Sequence, residues 1–105
     1  MAWLMLFVAG IFEVVWAVAM KQSAGFTRLM PTLVTLAGMV VSFVLLSAAM
    51  RTIPLGTAYT IWTGIGAVGA FLVGVTMLGE QLSAMRVIAA VLIVSGLVLM
   101  KLSAD

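Results

Sequence analysis

Residues 29–50, 52–79 and 87–100 contain no charged side chain, and residues 1–20 contain one, Glu13. Crossing a bilayer takes about 20 mostly apolar residues in a helix. The pattern predicts an all-α membrane protein with four transmembrane helices, near 2–20, 31–50, 54–79 and 84–102. The punctuation agrees. Pro31 and Pro54 open spans, where a missing N–H costs nothing. Ser23-Ala24-Gly25 and Gly79-Glu80-Gln81 are turn signals, and Ser83 is a suitable N-cap for the last span. Only 8% of the 105 residues are charged, against about 25% in a soluble domain. The loops are short, so the helices run up and down in a single four-helix domain over 1–105.

Composition excludes several functions. The chain has no Cys and no His, which removes disulfide frameworks, Cys/His metal sites and His-based acid–base chemistry. No nucleophile–base pair is evident, so an enzyme is not expected, and neither a metal nor a cofactor is implied. A net charge of +2, scattered along the chain, is no nucleic-acid footprint. Residues 1–20 lack a positive n-region and reach span length, so they read as a membrane helix rather than a cleaved signal.

Glu13 is therefore the outlier. A carboxylate in mid-span costs roughly 3 kcal/mol on insertion scales, and such residues mark function by default. Its neighbours three and four positions away on a helix are Ala9, Gly10, Trp16 and Ala17, a stripe of small residues beside one indole. Phe7, Val8, Ile11, Val14, Val15 and Val18 form the face left for lipid or packing. Ser42 lies near the middle of the second span. Trp62 lies about 6 Å from the middle of the third at 1.5 Å per residue, with Tyr59 and Thr63 on its face. Trp3 suits an interfacial anchor, whereas Trp16 and Trp62 are too deep for that role. Their buried N–H groups call for acceptors, and the carboxylate of Glu13 is the expected one. For Ser42, bonding back to its own helix and contact with Glu13 are both open.

The third span carries Gly56, Gly64, Gly66, Gly69, Gly74 and Gly79. Residues 64–69 match G-x-G-x-x-G formally, but no strand precedes them, so the dinucleotide reading fails. The glycines serve close helix packing, a bend, or both, and Gly64, Gly66 and Gly69 are the candidate hinge. In the fourth span, Ala89 and Gly96 share a face that would suit a dimer seam or packing within the chain. Lys101 at its end is expected to snorkel, and Glu80 and Arg86 to be solvated.

Loop charges normally set orientation. Here one side holds Lys21, Arg28 and Arg86, and the other Arg51, Lys101 and the N-terminal amine. Three positive groups oppose three. Either another signal fixes the orientation, or the chain inserts both ways and the two forms pair. The second reading is preferred, because four helices are few for enclosing a solvated path and transporters often use inverted repeats.

Ala9-Gly10-Ile11-Phe12-Glu13-Val14-Val15-Trp16-Ala17, followed by Lys21-Gln22-Ser23-Ala24-Gly25-Phe26-Thr27, resembles the first helix and loop of the small multidrug resistance transporters. Pro54-Leu55-Gly56-Thr57-Ala58-Tyr59-Thr60-Ile61-Trp62-Thr63-Gly64 is similar to their third helix. The resemblance covers essentially the whole chain. It implies an antiparallel, dual-topology homodimer in a bacterial inner membrane and proton-coupled export of a small organic cation. It implies that Glu13 binds proton or substrate in turn, with Tyr59 and Trp62 lining the site. Trp16, where multidrug members carry a small residue or Thr, is similar to the guanidinium-exporting subtype, as are Gly10 and Ser42. The expected substrate is then guanidinium, whose paired N–H groups match a carboxylate. A quaternary-ammonium exporter of the same fold, a rotary-ATPase proteolipid and a small dual-topology channel are the competing readings.

Overall fold

The computed structural model describes residues 1–104 and contains four helices: α1 (Ala2–Gln22), α2 (Leu29–Ala49), α3 (Leu55–Met77) and α4 (Ala84–Ala104). All four are long and apolar enough to cross a membrane. The Cα atoms extend over 42 × 35 × 17 Å. The short dimension admits about two helix layers at 8–10 Å spacing.

Helix ends follow local chemistry. α2 begins two residues before Pro31, which falls in the first turn, where amides lack intrahelical partners. α3 stops at Met77 rather than 79, because Gly79 takes φ +71° and turns the chain. The Glu80 amide then closes on the Gly74 carbonyl at 2.9 Å. Ser83 caps α4, its hydroxyl accepting the Arg86 amide at 3.2 Å. In the first loop, the buried Ser23 hydroxyl donates to the Met20 carbonyl at 2.7 Å and accepts the Phe26 amide at 3.0 Å. That pair of bonds bridges Ala24, Gly25 and Phe26, all at positive φ.

The core sits among α1, α2 and α3. Leu6, Ala9, Leu46, Ala49, Ile53, Ala58, Ile61 and Trp62 form its buried cluster. α2 turns Thr35, Gly38, Ser42, Leu46 and Ala49 inward, a three-and-four spacing of mostly small residues that brings α1 close. A Cβ on Gly38 would lie 3.0 Å from the Trp16 Cβ. Along the α1–α3 seam, Gly10 packs on Ile65, Gly66 on Glu13 and Gly69 on Val14. Of the face left for lipid or packing, Val14 thus belongs to this seam, while Phe7, Ile11 and Val15 are exposed. The backbone of α4 approaches that of α3 alone among the helices, with Leu97 seated on Gly64, while Lys101 reaches over the Trp3 ring of α1.

A candidate cation site around Glu13

Glu13 projects from the middle of α1 toward α3 and lies on Gly66. A side chain at position 66 would occupy the space of the carboxylate, so the glycine makes room for it. The buried Oε1 of Glu13 has no hydrogen-bond partner among the described residues, and neither has the indole Nε1 of Trp16, one turn away. Polar atoms buried in this way are costly, and native structures place few of them without a role. A carboxylate oxygen is an acceptor suited to a cation or proton.

Beneath this pair runs a fixed hydrogen-bonded chain. Trp62 Nε1 donates to Ser42 Oγ at 2.9 Å, and Ser42 Oγ donates to the Ala9 carbonyl at 2.7 Å. Ser42 and Trp62 are both buried. In an α-helix the carbonyl of residue 9 is also the partner of the amide of residue 13. The chain Trp62–Ser42–Ala9 therefore ties α3 and α2 to the very turn that carries Glu13.

This differs from the sequence expectation in three respects. The Trp16 N–H, expected to meet the Glu13 carboxylate, has no partner among the described residues. Trp62 gives its N–H to Ser42 rather than to Glu13. Ser42 gives its only proton to α1's backbone, so it neither bonds back to its own helix nor donates to the carboxylate. The physical reason is the tight α1–α2 contact at Gly38, which carries the hydroxyl up to the Ala9 carbonyl.

An aromatic series accompanies the chain. Trp16 meets Phe43 edge-on with centroids 6.1 Å apart, Phe43 meets Trp62 at 5.8 Å, and Trp62 meets Tyr59 at 5.5 Å. Tyr59 is exposed at its end. Trp16, Tyr59 and Trp62 are thus joined through Phe43, which the sequence reading did not single out. Its position directly after Ser42 was the available signal. Gly38, one turn before Ser42 on the same face, was missed likewise.

The glycines proposed as a hinge have packing partners. Gly10, singled out as a site position, faces Ile65 rather than the carboxylate; Gly64 faces Leu97, Gly66 faces Glu13, and Gly69 faces Val14. α3 is an unbroken helix through all of its three hinge candidates. Gly56 and Gly96, by contrast, meet open space. Among the described residues, no group of three His, Cys, Asp or Glu side chains converges to hold a metal.

The Small Multidrug Resistance protein family model matches residues 1–93. The chain belongs to the small multidrug resistance family. Across 103 residues, 98% of each chain, it is 53% identical to a guanidinium exporter of Citrobacter freundii. It is 54% identical to one of Salmonella typhimurium strain LT2 over 99% of each chain, and 50% identical to one of Escherichia coli K12 over 98% of each. With four membrane-spanning helices and bacterial relatives, this family member is a multi-pass protein of a bacterial inner membrane. These relatives are named as exporters, not as enzymes.

Proposed function

We propose that the protein exports guanidinium or small guanidinyl cations in exchange for protons, with Glu13 as the group that binds each in turn. The observation that carries this reading is the half-buried Glu13 carboxylate in mid-span, with Oε1 unpartnered among the described residues. Guanidinium is a flat cation with N–H groups in pairs, and a carboxylate accepts such a pair in two parallel bonds. Trp16 supplies a neighbouring aromatic face for the cation. Its indole also takes up space that a bulkier drug would need. The names of the three relatives above, each a guanidinium exporter, support the substrate class.

Coupling follows from exclusion. A carboxylate that holds a proton has lost the charge that attracts the cation, and one that holds the cation has no place for the proton. Lowering the pH therefore weakens apparent cation affinity by competition alone. Ser42 and Trp62 position the Glu13 turn through Ala9 and do not bind the cation themselves, while Tyr59 offers an exposed ring at the edge of the site.

The unit of transport in this reading is an antiparallel homodimer. Its support is the three-against-three balance of positive groups at the two ends and a protomer too thin to enclose a solvated path. Two copies in opposite orientation supply the inverted symmetry that transporters use. α3 bends at Gly64, Gly66 and Gly69 as access alternates, exchanging one set of glycine contacts for another.

The test is export of guanidinium from reconstituted vesicles under a proton gradient. The native protein should export and Glu13→Gln should not; proton-driven export surviving in the variant would refute the assignment. Tetramethylammonium in the same assay separates the broader quaternary-ammonium reading. It should compete poorly, since it has no N–H to donate.

A further inference from the structure

α3 carries two carboxylates on glycine seats. Gly66 lies under Glu13, and Gly74, two turns on, lies under Glu80. A Cβ on Gly74 would stand 2.6 Å from Glu80 Oε1 and 3.0 Å from its Oε2. Gly79, at φ +71°, turns the chain back, and the Glu80 amide closes on the Gly74 carbonyl at 2.9 Å. Glu80 is exposed, yet its carboxylate lies against the end of α3. That position is unfavourable for a lone carboxylate. The last carbonyls of a helix lack intrahelical partners and make its C-terminus negative. No cationic side chain pairs with Glu80 among the described residues. Arg86, the nearest cation in sequence, instead lines a recess with Phe71 and Ala90.

We propose that Glu80 is the recruiting residue for the cation: it takes guanidinium at the end of α3 and passes it along that helix to Glu13. The proposal rests on Glu13 as the exchange site. Gly66, Ala70 and Gly74 follow at four-residue intervals, so they share a face of α3. They span about 12 Å, and this strip of small residues has a carboxylate at each end. In the up-and-down order of the helices, Lys21, Arg28 and Arg86 lie at the same end as Glu80. They repel an approaching cation, and Glu80 is the one acid there among the described residues. Its carboxylate can accept the paired N–H groups of guanidinium as Glu13 does. Being exposed, it holds the cation weakly enough to release it. In an antiparallel dimer, one Glu80 stands at each membrane face, so entry and exit are served alike.

The test measures initial rates of guanidinium transport in vesicles against guanidinium concentration, at low and at high ionic strength. An exposed ion pair changes affinity by about two- to fivefold. Glu80→Gln should therefore raise KM by about that factor at low salt, with turnover at saturation unchanged. Glu80→Lys should raise KM further, and Glu80→Asp, which keeps the charge, should stay near the native value. At 1 M salt the screening length falls to about 3 Å, and the differences should vanish. Proton release by guanidinium from purified Glu80→Gln should keep its full amplitude, since Glu13 is untouched. An unchanged KM in Glu80→Gln at low salt would overturn the proposal. So would a change that persists at high salt, or a loss of turnover shared by Glu80→Asp, either of which marks a structural turn. Absence of proton release from the native protein would instead remove the Glu13 reading, and this proposal with it.

Discussion

Helices α2 and α4 are equally apolar, yet they are used in opposite ways. α2 buries a row of small residues against α1 and delivers Ser42 to the Ala9 carbonyl. α4 has no buried residue in its membrane span, and its backbone approaches that of α3 alone among the helices. The difference is one of small residues and what they meet. On α2, Gly38 is closed over by Trp16; on α4, Gly96 meets open space. Hydropathy therefore tells which segments enter the membrane, while the partners of the glycines tell which faces are sealed within the chain. The three-helix unit of α1–α3 holds the candidate cation site, and α4 presents an apolar surface to its surroundings.

This contrast can be broken on purpose. The largest effect belongs to Glu13→Gln, which keeps the shape and should reduce guanidinium export to background. Gly66→Ala comes next. Its methyl would displace the Glu13 carboxylate, and overpacking of this kind costs roughly 1–3 kcal/mol; a loss of cation affinity of about tenfold or more in a binding titration is expected, with the helical spectrum unchanged. Ser42→Ala leaves the Trp62 N–H buried and unpaired, which costs about 1–3 kcal/mol, visible as a lower unfolding midpoint in detergent. Gly64→Ala meets only the far end of Leu97. The strain there is relieved by a rotamer change and offset by about 1 kcal/mol of helix propensity, so stability should hardly move. Gly96→Leu should change protomer stability least of all, within about 0.5 kcal/mol. If α4 is a seam between copies, that same variant shifts the dimer toward monomer in a dilution series.

The four spans were legible in the sequence, and so was Glu13 as the candidate residue, because charge is so scarce that one carboxylate stands out. The depth match that grouped Ser42, Tyr59 and Trp62 was also legible, since rise per residue is fixed. Rotation about each helix axis was not. Whether Ser42 faces the carboxylate or the backbone one turn below depends on how closely α1 and α2 approach, which Gly38 decides. Phe43 went unnoticed for the same reason, being one more phenylalanine until its ring is seen between two indoles. For Val14 the sequence left lipid and packing both open, because only the structure reveals that Gly69 receives it.

Exchange at one carboxylate is the centre of this account, and proton release measures it directly. Purified protein in weakly buffered detergent, held near neutral pH, is titrated with guanidinium while a pH indicator is followed. Guanidinium should release protons in a saturable manner from the native protein and none from Glu13→Gln. Binding of guanidinium without proton release, or equal release from the variant, would contradict the claim that proton and cation compete for Glu13.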